Sequence, residues 1–391
     1  MNDNQHIPSG YKPSPLGIIP EDWEVRRLGE VCTFLDSQRI PIKDADRGKM
    51  QGQYPYYGAS GIIDYVNNYI FDDDLILLGE DGANIITRST PLAFLVSGKV
   101  WINNHAHVLK TNKGYNRYYI CNYLESLSYD KYNTGTAQPK LNQEVCERIP
   151  VLLPSEEEQN CISNLLTLWD TAIAKQTALI EQLTLRKRGL MQQLLTGKKR
   201  LKGFEGKWKR IKAGEIFKSI SVKGNGSEVL LSATQEHGVI PRDQLEGRVT
   251  MPTGDTNSFK LVEVGDFVIS LRSFQGGLEY SEHRGIVSPA YTVLKPIVEI
   301  DKPFYRYYFK SAEFIGHLAI AVIGIRDGKQ ISYEDFCFVK IPYPNIEEQK
   351  AISAVLLQAD KEIEIQKQKL AAMQEQKKGL MQVLLTGKKR V

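Results

Sequence analysis

The chain has 391 residues and a net charge of +4, with 42% hydrophobic and 25% charged residues. This composition is ordinary for a folded protein of two or three domains, and the charge permits a polyanionic partner without requiring one. A run of about 18 apolar residues does not occur, so no membrane span is predicted. The five cysteines are scattered without a C-x-x-C pair, and the first residues lack a secretory pattern. We therefore predict reduced thiols in a cytoplasmic protein.

Residues 1–154 predict a β-rich domain with long loops. They are rich in Gly, Tyr, Val and Ile, and they contain short apolar runs such as LILLG after Asp74. Runs of this kind are typical of strands.

Residues 155–201 predict a long helix followed by a linker. Ser155 and Glu158 have the spacing of a capping box, in which the serine oxygen caps a backbone N–H and the glutamate reaches back. Gly197 would end the helix in a left-handed conformation. A helix of about 40 residues would be about 60 Å long.

Residues 202–344 predict a second β-rich domain, and residues 345–391 predict a second long helix. Asn345 and Glu348 repeat the capping pattern, and Gly387 repeats the helix end.

The two halves repeat each other in their frames and differ in their middles. GLMQQLLTGKKRL begins at Gly189, and GLMQVLLTGKKRV begins 190 residues later at Gly379. The openings match as well, because Trp23 and Trp208 are each followed six residues later by Gly-Glu. The repeat is too long for a solenoid unit, so we predict two similar frames that carry two unlike domains and bind two copies of one partner.

An apolar 4-3 spacing runs through both helices and is interrupted near the middle by Gln176 and Gln366, as in a coiled-coil seam whose polar residue fixes register. The predicted fold class is α+β, with two β-rich domains alternating with two long helices that pack as an antiparallel coiled coil about a pseudo-twofold. The glutamines would meet at its centre; the alternative is that each helix packs only on its own domain. The predicted seam residues are Ile162, Leu166, Trp169, Ile173, Gln176, Ile180, Leu183, Ile352, Leu356, Ile363, Gln366, Leu370 and Met373.

Several stretches and the domain–helix–domain–helix order carry a family resemblance. In the first half they are YPYYGASGII from Tyr54, GEDG from Gly79 and GTAQPKLN from Gly135; in the second half they are GDFVISLRSFQGG from Gly265, GIVSPAYTVL from Gly285 and IRDGKQISYEDF from Ile325. Together with the paired EEQ…LLTGKKR helices, they make the whole chain resemble the specificity subunit of type I restriction–modification systems.

The resemblance implies two target recognition domains. Each would read one part of a split, asymmetric sequence in double-stranded DNA, and the helices would set the unread gap. Two methyltransferase subunits would dock on the chain, and restriction subunits would join later. The chain itself would neither methylate nor cut DNA and would need no cofactor.

The sequence contains no catalytic motif that contradicts this expectation. It has neither a [DNS]-P-P-[YF] methyltransferase stretch nor a phosphate-binding G-x-x-x-x-G-K-[ST] loop. Glu205 and Lys207 fit a nuclease E-x-K pattern but lack an obvious partner carboxylate. His105 and His107 would share one face of a strand, yet no Cys or acidic residue completes a metal pattern, so we predict no metal site.

Polar and basic side chains in the Gly-rich loops are the candidates for DNA contact, because base edges and phosphates require such groups. Arginine suits guanine and glutamine suits adenine, but phosphate contact or a plain turn would explain any one of them equally. Tyr54, Tyr56 and Tyr57 are predicted mainly as packing residues. The candidates are Tyr57, Ser60, Asn84, Arg88, Asn104, His105, Thr136, Gln138 and Lys140 in the first domain, and Arg272, Ser273, Gln275, Arg284, Ser288, Arg326, Lys329 and Gln330 in the second.

Two alternatives remain open from the sequence. A stand-alone DNA-modifying enzyme with an unfamiliar site would act without partners. A coiled-coil adaptor would bind no DNA, so its associations would lack the steep salt dependence of phosphate contacts.

Overall fold

The computed structural model describes residues 7–245, 256–271, 273–321 and 331–391. The chain divides into two compact units, one formed by Met1–Thr177 with Lys369–Val391 and the other by Ala178–Gln368. Each unit therefore takes its β-rich domain from one half of the chain and one of its helix segments from the other half.

A six-stranded sheet, in the order β4-β9-β7-β8-β5-β6, forms the centre of the first unit. Two short pairs, β1-β2 and β10-β3, flank it. The strands are β1 (Tyr11–Ser14), β2 (Gly17–Pro20), β3 (Glu24–Arg27), β4 (Cys32–Phe34), β5 (Gln51–Gly58), β6 (Gly61–Val66), β7 (Phe71–Gly79), β8 (Ala93–Ile102), β9 (Ala106–Thr111) and β10 (Pro150–Leu153). The helices are α1 (Leu28–Val31), α2 (Asp44–Arg47), α3 (Asn84–Thr87), α4 (Arg117–Ser126), α5 (Gln143–Glu147) and the first long helix, α6 (Glu156–Leu194).

Both faces of β7 are buried, which explains its unbroken apolar run. Ile76 and Leu78 point into the larger core, where helix α4 packs, while Leu75 and Leu77 point into a second cluster with Val108. Side chains alternate along a strand, so an uninterrupted run is expected only where both faces are covered.

The second unit repeats the inner part of this sheet with shorter strands. Its four-stranded sheet has the order β12-β19-β16-β17, so β12, β19 and β16 correspond to β4, β9 and β7. The strands are β11 (Lys209–Lys212), β12 (Phe217–Ile220), β13 (Leu231–Thr234), β14 (Gly238–Pro241), β15 (Lys260–Val262), β16 (Phe267–Ile269), β17 (Glu279–Tyr280), β18 (Gly285–Val287), β19 (Thr292–Pro296) and β20 (Lys340–Tyr343). The helices are α7 (Ala213–Ile216), α8 (Ser273–Gly276), α9 (Lys302–Tyr308), α10 (Ala312–Ala321), α11 (Tyr333–Phe338) and the second long helix, α12 (Ile346–Leu384).

Aromatic rings dominate the core of the second unit. Phe217 and Phe309 each lie within van der Waals range of several other buried rings, such as Phe267, whose centroid is 5.5 Å from that of Phe217 and 5.1 Å from that of Phe309. These edge-on pairs combine large apolar burial with favourable ring electrostatics.

The long helices begin and end where the caps predict. Ser155 Oγ accepts from the Glu158 N–H at 3.2 Å, and Asn345 Oδ1 accepts from the Glu348 N–H at 2.8 Å. Gly197 and Gly387 adopt left-handed φ values of 71° and 69°. The reciprocal half of the predicted capping boxes is wrong, however, because both glutamate side chains bind tryptophan and arginine instead.

Within each unit the two long-helix segments run antiparallel. Lys377 Nζ lies 2.5 Å from Asp170 Oδ1 in the first unit, and Lys187 pairs with Asp360 in the second. These ion pairs correspond to each other under the sequence repeat. The predicted α+β fold class, with two β-rich domains alternating with two long antiparallel helices, is confirmed.

Every predicted seam residue is buried or half-buried, whereas most residues between them are exposed. Near the helix ends the seam merges into the domain cores, because Ile162 and Leu166 belong to the core of the first unit and Ile352 and Leu356 to that of the second. Whether Gln176 and Gln366 meet stays a prediction. Among the described residues, no helix combines the length and apolarity that a membrane crossing requires.

Candidate nucleic-acid interface

Four segments of the first unit converge where strands β5, β7 and β8 of the six-stranded sheet end and β9 begins. The Asn103 N–H donates to Tyr57 O at 3.1 Å, and the Glu80 N–H donates to His105 O at 2.9 Å. The Leu141 N–H in turn donates to Glu80 O at 2.8 Å. Residues 57–60, 79–84, 103–105 and 134–141 thus form one surface, which we call the loop edge.

Eight of the nine DNA candidates in the first domain lie on this loop edge. Ser60, Asn104, Thr136 and Gln138 are exposed. The other four are partly engaged within the protein: Tyr57 packs on Phe94, Asn84 bonds the backbone of Thr90, His105 Nδ1 lies 2.7 Å from Asp81, and Lys140 Nζ lies 3.3 Å from Glu80. The sequence therefore predicted a set of residues that the fold brings together.

Arg88 is the exception in the first domain. Its guanidinium lies 2.8 Å from the Glu125 carboxylate, donates to Glu125 O at 2.6 Å, and packs over the Tyr129 ring. These contacts hold α3 against α4, and they give Arg88 a structural role within the unit.

A buried ionic network braces the loop edge from below. His107 Nδ1 lies 2.5 Å from Asp36 Oδ2, and its Nε2 lies 2.9 Å from Leu141 O. Arg39 reaches Glu80 at 2.7 Å and Asp36 at 3.3 Å. Burial alone would lower the pKa of His107, but its hydrogen bonds and the Asp36 charge outweigh burial and raise that pKa to about 10.

Charge pairs hold this network together. Asp36, Glu80 and His107 lie close enough together to ligate a cation. Both nitrogens of His107 already have hydrogen-bond partners, and Arg39 together with the protonated His107 balances the charges of the two carboxylates. His105 does not join His107, because it lies in the turn before β9 and faces Asp81. The predicted shared strand face for the two histidines is therefore wrong.

The candidates of the second domain are less concentrated. Gln275 is exposed and Ser288 is half-buried, whereas Ser273 is buried and its Oγ accepts from the Ser270 N–H at 2.8 Å. Arg284 is half-exposed and pairs with Glu228 at 3.0 Å and with Glu263 at 3.2 Å. The other four candidates, Arg272, Arg326, Lys329 and Gln330, lie outside the described residues.

The tyrosines of YPYY pack as predicted. Tyr56 is buried in a cluster with Val66 and Trp101, and its hydroxyl accepts from the Ile42 N–H at 3.2 Å. Tyr54 packs at the rim of the same cluster.

Sequence reasoning missed the β13–β14 hairpin, whose tip is Gln235-Glu236-His237. All three tip residues are exposed. The available signal was a polar run closed by Gly238, which adopts a φ of 72°.

Sequence reasoning also missed a joint that recurs at the root of each long helix. Glu158 is 7% exposed; its carboxylate accepts from Trp23 Nε1 at 3.1 Å and from Arg390 Nε at 2.7 Å. Glu348 is fully buried and accepts from Trp208 Nε1 at 2.9 Å and from Arg200 Nη2 at 2.6 Å.

Each joint ties a domain and the start of one helix to the segment that follows the other helix. The repeated LLTGKKR stretch supplies three of its parts: leucines that enter the core, a left-handed glycine against the tryptophan, and the arginine. The signal in the sequence was the recurrence of Trp, Glu and Arg in both halves.

Known proteins share the two-part organisation of this chain. The family model described as "Type I restriction modification DNA specificity domain" matches residues 20–185 and 205–375. The type I restriction enzyme MjaVIII specificity subunit of Methanocaldococcus jannaschii is 29% identical over 95% of this chain and 94% of its own length. A putative MjaX specificity subunit of the same organism is 27% identical over 97% of both chains.

Solved structures share the fold. The crystal structure of the S subunit of a type I restriction–modification system from M. genitalium has a TM-score of 0.56 at 14% identity, and the match covers 98% of each chain. A chain from a structure describing complex assembly and conformational transition of the type I system has a TM-score of 0.57 at 17% identity, covering 94% of this chain and 99% of its own.

The two matches of this DNA specificity model fall on the two halves that the sequence repeats. The chain belongs to the type I restriction modification DNA specificity domain family. It is a DNA-binding specificity subunit of a restriction–modification system and a non-catalytic component of such complexes, as the sequence predicts.

Proposed function

We propose that this chain reads a split, asymmetric target in double-stranded DNA, with one recognition domain for each part and the unread gap set by the long helices. The observation that carries the proposal is the contrast between frame and loops. The Glu–Trp–Arg joint and the Lys–Asp helix pair occur once in each unit, while the loops at the sheet edges differ in sequence. Equal frames with unequal loops suit a target whose two parts differ.

The same repetition supports two equal docking sites for methyltransferase subunits. Two near-identical surfaces bind two copies of one partner. Exposed side chains that recur in both halves, such as Gln192 with Gln382 and Lys198 with Lys388, offer part of such a surface. Restriction subunits would join the same cytoplasmic complex.

The test is the adenine methylation of the source genome with and without this gene. We expect methylation to disappear at one split, asymmetric motif when the gene is deleted, and a methyltransferase subunit to copurify with the tagged chain. An unchanged methylome without copurification would overturn the proposal.

Two further results would point to the alternatives. DNA methylation by the purified single chain with S-adenosylmethionine would indicate a stand-alone enzyme. Absence of salt-dependent DNA binding by the complex would indicate an adaptor, because phosphate contacts make affinity fall steeply with salt.

A further inference from the structure

An open cleft lies in the second unit where strand β16 ends and strand β19 begins. Its volume is about 600 Å³. One wall is the β13–β14 hairpin, and the other includes Ser270 and Leu271 after β16 and Tyr291 before β19. Since β16 and β19 correspond to β7 and β9, this cleft occupies the place that the loop edge occupies in the first unit.

Hydrogen bonds from neighbouring side chains hold the backbone of the hairpin, and the side chains at its tip are exposed. Lys310 Nζ donates to Gln235 O at 3.3 Å and is held by Glu279 at 2.7 Å, and the His237 N–H donates to Thr234 Oγ1 at 3.0 Å. The side chains of His237 and Glu236 are 70% and 87% exposed, with 4.0 Å between His237 Nε2 and Glu236 Oε2, while the exposed Gln235 side chain lies beside Gly276. A pre-ordered backbone lowers the entropy cost when such side chains bind.

Positive charge flanks the cleft. Lys260 Nζ donates to Tyr291 O at 2.6 Å on the cleft wall. Burial lowers the pKa of Lys260, and the nearby charge of Lys223 lowers it further. Among the described residues neither lysine forms an ion pair, and a pair of like charges of this kind suits a phosphate.

We propose that the β13–β14 hairpin enters the DNA major groove and that Gln235, Glu236 and His237 are specificity-determining residues of the second domain. This inference rests on the proposed function. A two-stranded ribbon fits a groove about 12 Å wide. The glutamine amide matches adenine, and the glutamate accepts from the amino group of cytosine. Lys223 and Lys260 would contact the adjacent backbone.

The experiment compares full-length variants in complex with the methyltransferase subunit. The test variant is Gln235→Ala combined with His237→Ala. The matched control is Glu299→Ala, an exposed position of the same unit outside the cleft. Genome methylation gives the motif, and gel-shift titration with cognate and scrambled duplexes gives the affinity.

We expect the test variant to lose discrimination at one or two positions in one part of the motif, while the other part stays intact. Cognate affinity should fall by roughly 10-fold or more, with little change for the scrambled duplex. Glu299→Ala should match the unmodified chain. Lys223→Gln should weaken both duplexes alike and reduce the slope of log affinity against log salt by about 1.

Retention of the full motif and full cognate affinity by the test variant would overturn the inference. Equal losses for both duplexes would also overturn it, because they would indicate phosphate contact alone. If the unmodified complex has no split motif, the proposed function itself fails, and this result is distinct from both. Matching thermal unfolding of the variants confirms that exposed substitutions leave the fold intact.

Discussion

At the scale of single residues, buried charges with dedicated partners stabilise both units. Glu158 is nearly fully buried, yet its carboxylate receives Trp23 and two nitrogens of Arg390. Arg390 also contacts Asp22 through two bonds of 2.8 Å, and the arginine lowers the pKa of that carboxyl. A buried carboxylate is tolerated only when it is paired in this way.

We predict that Arg390→Ala destabilises the first unit by about 3 kcal/mol, because it leaves Glu158 buried without its cation. Urea unfolding of the full chain measures the loss. Lys389→Ala is the control, since this neighbouring side chain is exposed. Equal stability of the two variants would contradict the role of the joint.

The His107–Asp36 pair predicts a pH dependence of stability. The pKa of His107 rises from 6.5 to about 10 in the folded state. Its protonated form therefore adds stability that is complete below about pH 6.5 and disappears as the pH rises towards 10. The difference in unfolding free energy between the unmodified chain and His107→Asn should shrink over that window; a pH-independent difference would refute the pairing.

At the scale of elements, the antiparallel helix segments are pinned by charge as well as by apolar packing. In the second unit, Asp360 receives Lys187 and also the hydroxyl of Tyr307 at 2.6 Å. The same helix pair in the first unit carries Asp170 and Lys377. Charge pairs at equivalent positions of the two helix pairs favour one register of the antiparallel segments over shifted ones.

We predict that Asp360→Lys destabilises the second unit and that adding Lys187→Asp recovers part of the loss. The coupling energy should be about 1 kcal/mol, since the pair is partly exposed. Chemical unfolding of both single variants and the double variant gives this value. Glu364→Lys, at an exposed position of the same helix, should show no coupling to Lys187→Asp.

At the scale of the whole molecule, the start of the first domain contacts the segment that follows the second long helix, within the first unit. Tyr11 donates its hydroxyl to Gly387 O at 3.1 Å, and Gly387 lies against Pro20 and Trp23. These contacts join the first residues of the domain to the repeated LLTGKKR stretch after the second long helix.

These contacts predict that a circular permutant folds and keeps its target. A short linker would join Val391 to Ile7. The new ends would lie after Lys202, in the linker between the halves. Genome methylation measures the target, which should be unchanged. A permutant opened at Asp74, inside the central strand β7, should fail to fold; equal behaviour of the two would contradict this prediction.

Much of the fold follows from local patterns in the sequence. The long helices, their serine and asparagine caps, their terminal glycines and the burial of the seam were all predictable, because helix periodicity and capping depend on residues a few positions apart. The candidate loop residues of the first domain were recognisable as polar, Gly-rich segments. The family resemblance predicted the two recognition domains and the non-catalytic role.

The sequence by itself determined the repeated frame, the α+β class and the absence of recognised catalytic motifs. Only the tertiary structure decided which distant residues meet: Arg390 with Glu158, His107 with Asp36 rather than His105, and Arg88 with Glu125 rather than at the loop edge. The same is true of the cleft beside Gln235. Local patterns arise from neighbours along the chain, whereas these contacts join residues that are far apart in sequence and come together only when the sheets and helices pack.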